Sequence, residues 1–338
     1  MLTMRERVYA SIRSQGMDII PWQLDLTSAI REKLQAYYGT DDVLQATDDH
    51  FVCTNMHYPT ELLKEAPTPE TTFDEFGALW GKSQVDKTMG DWGGLISTPL
   101  TEPTLKDFSF PDPANLSYSH IVELRKKYPD RFLLVYGQSI FERSWSICGF
   151  ENYFSYIAGE EAFVEELASK LADYSCAATK RLKDLGVDGI RFGDDLGFQT
   201  NLMIQPSSWR RIFKKHYKRI YQAAHDIGLV VMIHSCGNIT EIIPDMIEIG
   251  VQVFHPLQPE SMDVRYCKRE FGNDISFWGG LGSQSTIPNG TPEDVRREVR
   301  DRLELFSDGG YILAPAGSIP TETPVENVIA IIDEARKQ

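Results

Sequence analysis

Two residues of this 338-residue sequence draw attention for their chemistry, His234 and Cys236, at the end of the apolar run Leu229–His234 (LVVMIH). In an extended segment residues two apart point to the same side, so imidazole and sulfur converge on one ion. A soft thiolate beside a borderline imidazole suits zinc. Two ligands do not complete a site, and the same spacing also describes a buried cysteine beside a hydrogen-bonded histidine. Asp194 and Asp195 close another short run, Gly189–Asp194. Neighbours on a strand point opposite ways, so one of the two faces a site. That carboxylate could ligate a metal, orient His234 or act as a general acid or base. A helix cap, or an ion pair with Arg191, is the plainer reading. Glu142 lies among Phe141, Trp145 and Ile147, where a carboxylate needs a partner, and it joins the two aspartates as a catalytic candidate.

These residues need elements to hold them. Eight apolar runs alternate with amphipathic stretches: Ile19–Leu24, Phe51–Met56, Phe132–Gly137, Gly189–Asp194, Leu229–His234, Val251–Pro256, Ile275–Gly280 and Tyr311–Pro315. Most are continuously apolar, as parallel strands covered on both faces are. Between them, Thr291-Pro292-Glu293-Asp294 predicts a capped helix start, and Thr323-Pro324-Val325-Glu326 has capping-box spacing. Gly186 and Gly228 end the long stretches Glu160–Leu185 and Pro206–Ile227 as left-handed caps. The expectation is an α/β fold, a single (β/α)8 TIM barrel over residues 1–338. A loop-rich insertion, residues 58–113, covers part of its mouth without forming a separate domain. A doubly wound open sheet is the alternative, although no G-x-G-x-x-G follows the first run. In a barrel the site lies at the C-terminal strand ends. Trp22, Tyr136, Gln258 and Trp278 occupy such ends and are the substrate-binding candidates, although core packing accounts for Trp278 equally well. His255 also ends a run and is left open. His50, His57, His120, His216 and His225 fall in loops or helices and read as surface residues.

Lys+Arg 34 against Asp+Glu 49 leaves a formal charge of −15. That excess disfavours nucleic acid or an anionic membrane as partner. No apolar run approaches the ~18 residues that span a bilayer, and Met1–Arg7 has charges but no apolar core or cleavage site, so secretion is not expected. Five scattered cysteines without framework spacing read as reduced thiols, so a cytoplasmic location is expected. The oligomeric state is open, a homodimer included.

Around His234-Ser-Cys-Gly-Asn the sequence resembles the uroporphyrinogen decarboxylase superfamily. It is more similar to the branch of zinc-dependent methyltransferases that work with corrinoid proteins or coenzyme M. The stretches that carry the resemblance are Phe73-Asp-Glu-Phe-Gly-Ala-Leu-Trp80, Phe192-Gly-Asp-Asp-Leu-Gly197 and Ile233-His-Ser-Cys-Gly-Asn-Ile239. Phe277-Trp-Gly-Gly-Leu281, Tyr311-Ile-Leu-Ala-Pro315 and Thr323-Pro-Val-Glu-Asn327 add to it. The resemblance implies a (β/α)8 barrel and a site in its C-terminal mouth. Two departures matter. Decarboxylases of this superfamily carry an arginine pair after the first strand, whereas Ile20–Thr27 contains no basic residue. The methyltransferases carry a cysteine ligand after strand eight, where this chain has Pro315-Ala-Gly-Ser318 with Gly317 at the approximate position. The expected function is metal-assisted methyl transfer of O-demethylation type. Zinc on His234 and Cys236 would be completed by an oxygen ligand, and a corrinoid protein or a thiol would accept the methyl group. A metal-independent lyase on a non-porphyrin acid and a non-catalytic ligand-binding barrel are the alternatives.

Overall fold

The computed structural model describes residues 2–81 and 93–338. Ten strands follow in chain order: β1 Phe51–Asn55, β2 Thr71–Phe73, β3 Leu79–Gly81, β4 Leu95–Ser97, β5 Phe132–Tyr136, β6 Gly189–Phe192, β7 Val230–His234, β8 Val253–Leu257, β9 Ser276–Leu281 and β10 Tyr311–Pro315. Seven of them form one curled parallel sheet in the order β1-β5-β6-β7-β8-β9-β10, with helices between successive strands. Seven of the eight apolar runs are therefore sheet strands.

The eighth, Ile19–Leu24, is not a regular strand, and eight-stranded ladder closure is not established. The segment makes isolated parallel bridges, Trp22 with Leu313 and Leu26 with Ile319. Its backbone exchanges Gln23 N–H to Leu313 O (3.0 Å) and Leu313 N–H to Pro21 O (2.9 Å) on one side. On the other, His50 N–H donates to Trp22 O (3.1 Å). Pro21 has no N–H to give a ladder. Leu24 N–H goes to a side chain, Asp49 Oδ2 at 2.9 Å, instead of to a carbonyl.

Alternation along the strands sorts the interior. Phe51, Phe132, Leu134, Val230, Met232, Val253, Trp278, Ile312 and Ala314 point inward and form one buried cluster, with Phe51 and Trp278 stacked at 5.0 Å. The inside of the curl is thus packed with side chains and is not a pore. A larger cluster lies between the sheet and the helices. Further along the same inward rows, toward the C-terminal ends, come Cys53, Tyr136, Arg191, His234 and His255.

The helix Pro292–Leu305 begins as its sequence indicates, with Thr291 and Asp294 forming a reciprocal capping box. The second expected box does not form. Pro324 is the cap residue of helix Val325–Ala335, and the buried Thr323 hydroxyl has no partner. Gly186 and Gly228 do adopt left-handed backbone, φ 79° and 82°. Strands β2, β3 and β4 make a small antiparallel sheet within 58–113. It is tied to helix Phe141–Cys148, which follows β5, through an Asp74–Arg143 ion pair and Arg143 against the Phe76 ring. Among the described residues no helix is long and apolar enough to cross a membrane.

At the opposite end of the sheet, Asp188 is fully buried. It accepts from Leu133 N–H (2.8 Å), Tyr9 Oη (3.1 Å), Arg5 Nε (2.7 Å) and Arg125. This carboxylate binds helix Met4–Ile12 and helix Ser119–Lys127 to the strands. Removing its charge leaves two guanidiniums with no counter-ion. We expect Asp188→Asn to lose about 3 kcal/mol in urea denaturation, the low end for a broken buried pair because Arg5 stays partly in water.

Candidate metal centre

Three donor atoms converge at the mouth of the curl. His234 ends β7, Cys236 lies two residues on, and Asp195 lies just past β6. His234 Nε2 stands 3.3 Å from Asp195 Oδ1 and 3.5 Å from Cys236 Sγ, and all three ligand atoms lie within 4.8 Å of one another. Donors held at about 2.0–2.3 Å by a tetrahedral zinc would themselves stand about 3.3–3.6 Å apart. Asp195 Oδ1 also accepts the Cys236 N–H at 2.8 Å, which locks the two loops together. Burial pushes the Asp195 carboxyl up, but the His234 ring and the Cys236 amide outweigh it and hold it below the usual value. Burial, then the Asp195 charge, push the Cys236 thiol far above its ordinary range. An ionised sulfur here therefore needs a cation beside it, and the donor set fits a zinc ion.

The neighbours also fix which histidine nitrogen is available. His234 Nδ1 lies 2.7 Å from His255 Nδ1, and the Arg191 guanidinium lies 3.4 Å from that same His255 atom. Arginine only donates, so His255 Nδ1 is the acceptor. His234 Nδ1 must then carry a proton, and Nε2 is the ring atom turned toward Asp195 and Cys236. Burial, with the charge of Arg191, holds the His255 pKa well below its ordinary value, so this ring stays neutral. Its Nε2 is buried without a partner. A ligating histidine whose second nitrogen is held in this way is oriented for metal binding.

The adjacent aspartates have different surroundings. Asp194 is 2% exposed and has φ 139°, unusual for a residue other than glycine. Its oxygens accept from Ile140 N–H (2.8 Å), Glu142 N–H (2.7 Å) and Tyr217 Oη (2.6 Å). It caps helix Phe141–Cys148 and does not join the three converging donors. Glu142, on the first turn of that helix, is half-buried and directed toward the Asp195 amide. Burial, then the charges of Asp195 and Asp194, raise its carboxyl pKa. Gly193 leaves room for it: a Cβ there would come within 3.3 Å of Glu142 Oε2.

Of the expected substrate-binding residues, Tyr136 is half-buried with Arg191 lying 4.4 Å from its ring. Gln258 is buried and supports the site from behind, its Oε1 accepting Gly237 N–H at 2.9 Å. Trp22 and Trp278 do not line an aromatic mouth. Trp22 is 3% exposed, with its indole N–H bonded to Thr47 O at 3.0 Å. Trp278 is fully buried, because the inward row of β9 places it level with Phe51, beneath His255. His50 and His216, expected at the surface, are buried as well. The turn Pro315–Ser318 contributes nothing to the three-donor group, the one such group found among the described residues. Sequence reading left His255 open and gave Arg191 no role beyond an ion pair with the aspartates. Both act through the register of adjacent parallel strands, His234 beside His255 and Arg191 beside Met232, which periodicity alone does not reveal.

Known proteins match this chain in both sequence and fold. Over 252 residues it is 24% identical to the methylated-thiol–coenzyme M methyltransferase of Methanosarcina mazei, covering 72% of this chain and 66% of that protein. A methylcobamide:CoM methyltransferase of Methanosarcina barkeri is 25% identical over 158 residues, 46% of this chain and 43% of that protein. The matches thus span less than two thirds of the length of these relatives. Among solved structures, a methyltransferase from Methanosarcina mazei superposes with a TM-score of 0.76 over 100% of this chain and 99% of its own, at 17% identity. A B12-independent methionine synthase from Shewanella sp. W3-18-1 gives a TM-score of 0.53 over 91% and 88%, at 14% identity. The model of the uroporphyrinogen decarboxylase (URO-D) family matches residues 104–338, well over half of the sequence, and the chain belongs to that family.

Proposed function

We propose that the protein is a zinc-assisted methyltransferase, which moves a methyl group from a small methylated substrate to a thiol or to a corrinoid carried by a partner protein. The observation that carries this reading is the convergence of Asp195, His234 and Cys236, with His234 Nε2 at 3.3 and 3.5 Å from the other two donors. The names of the methyltransferase relatives support it. His234 Nε2, Cys236 Sγ and an Asp195 oxygen would hold the ion, with a fourth position left for substrate. Bound there, zinc acts as a Lewis acid toward a sulfur or ether oxygen. With one carboxylate in place of a second thiolate, the set favours the harder oxygen.

The chain's own residues do the rest. Arg191 and His255 hold His234 through its Nδ1, so that Nε2 is the atom turned toward the ion. Asp195 carries a negative charge held by the Cys236 amide. Glu142, adjacent to Asp195, is placed to move a proton at the substrate heteroatom as its bond to methyl breaks. We further infer that residues 58–81 and 93–113 belong to the same domain and screen the mouth, a reading supported by the Asp74–Arg143 tie; residues 82–92 of the expected insertion lie outside the described residues.

Protein purified without added metal should contain about one zinc per chain. Cys236→Ala should lose both the metal and the activity, read by metal analysis and by a methyl-transfer assay on methyl ethers and methylated thiols. Activity that persists in metal-free protein would leave the lyase alternative instead. Glu142→Gln should keep its zinc while kcat falls by about 10²-fold or more. Uroporphyrinogen should not be turned over, because Ile20–Thr27 offers no guanidinium pair for its carboxylates. Coproporphyrinogen formation at enzymatic rates, followed by absorbance after oxidation, would contradict that.

A further inference from the structure

Among the described residues Arg191 stands in the mouth with no carboxylate partner. Its side chain lies against two aromatic rings, 4.4 Å from the centre of Tyr136 and 5.2 Å from that of Trp278. Among the described residues its hydrogen bonding amounts to the 3.4 Å contact with His255 Nδ1. Asp188, Asp194 and Asp195, the nearest acids in sequence, are bonded elsewhere: Asp188 to Arg5, Arg125, Tyr9 and Leu133, Asp194 to Ile140, Glu142 and Tyr217, and Asp195 to His234 and Cys236. A guanidinium half withdrawn from water without a counter-ion is unfavourable, and a fold does not need one at this position. The neighbouring neutral groups, Tyr136, Cys53 and His255, cannot balance it, and Asp25, whose charge reaches Tyr136 and Cys53, makes no ion pair with it. Burial pushes the Tyr136 hydroxyl well above its ordinary value and the Cys53 thiol up to about 12, so both remain uncharged at neutral pH.

We infer that Arg191 anchors a carboxylate on the substrate, so that the molecule taken up in this mouth is a small organic acid. The inference rests on the proposed function only in assigning the mouth to substrate. Aromatic packing fixes the guanidinium and leaves N–H groups free to bind a planar carboxylate in pairs. One cation balances one carboxylate. A phosphate dianion would leave negative charge uncompensated near Asp195, and a molecule with eight carboxylates would exceed what a single arginine can hold.

The test is equilibrium binding of benzoate and acetate, with benzamide and acetamide as uncharged counterparts. The wild-type protein should bind at least one of the acids saturably and the matching amide far more weakly. Arg191→Gln keeps an N–H for His255 and removes the charge, so acid binding should weaken by about 10- to 100-fold. Arg191→Lys should fall between them, because its ammonium keeps the charge but not the paired geometry. Should R191Q fail to fold, phenylglyoxal labelling of Arg191 in the native protein, mapped by peptide analysis, should be slowed by the acid and not by the amide. Equal binding of acid and amide, undiminished acid binding by a folded R191Q, or binding of neither acid overturns the inference. A protein that binds benzoate through Arg191 but transfers no methyl group overturns the proposed function and leaves this inference standing. Methyl transfer that is indifferent to Arg191→Gln, together with unchanged acid binding, does the reverse.

Discussion

The geometry of the mouth depends on how the chain turns at Asp194. A residue other than glycine at φ 139° is strained by about 1–3 kcal/mol, and such strain persists only where surrounding contacts over-determine it. Here the amides of Ile140 and Glu142 and the hydroxyl of Tyr217 hold the carboxylate from three sides. The turn presents Asp195 to the loop after β7, where it meets His234 and the Cys236 amide. The same bonds fix the first turn of helix Phe141–Cys148 and so place Glu142 beside Asp195. One buried carboxylate therefore sets the positions of two others, and it does so without facing the mouth.

Beneath that level the structure changes from polar to apolar within a few residues of each strand. Phe51, Phe132 and Trp278 fill the interior, His255 lies against Trp278, and His234 lies against His255. Ring by ring, this stack carries the rigidity of the packed core up to the donor atoms. It also explains the neutral His255: a protonated ring there would be buried next to Arg191. The polar part of the site is thus supported from below by aromatic faces and from the sides by backbone amides.

Much of this was legible in the sequence, for definable reasons. Seven of the apolar runs, most of them continuously apolar, became the strands of the parallel sheet because both faces of the sheet are covered. The two-residue spacing of His234 and Cys236 brought their donor atoms together because that segment is extended. Asp194 and Asp195 do face different surroundings, but through the turn at Asp194 beyond the end of β6 and not through strand alternation, and the sequence does not say which of them turns toward the mouth. That choice depends on Tyr217 and on the helix after β5, both distant in the chain. Trp22 and Trp278 were misplaced because residue type does not show how far up the interior a side chain sits. The run Ile19–Leu24 has the composition of a strand, but Pro21 and the side chain of Asp49 interrupt its ladder. The partnership of His255 with His234 required the register of β7 against β8.

That interrupted seam has a consequence for how the molecule comes together. The edges β1 and β10 are joined through the segment near residue 22, and its contacts reach almost from one end of the polypeptide to the other. The Thr27 hydroxyl bonds to Ile319 O across 292 residues, and the Ser11 hydroxyl bonds to Tyr311 O across 300. Contacts of such separation are formed against the largest loss of chain freedom and cannot precede the docking of β10. Helix Met4–Ile12 can dock earlier on Asp188, and the Trp22 segment on Thr47, Asp49 and His50, so that only the other side of the seam waits for β10. The β1–β5 edge can assemble earlier, from local segments. A late event of folding is then the docking of β10 against the segment near residue 22, along a seam held by isolated bridges instead of a full ladder.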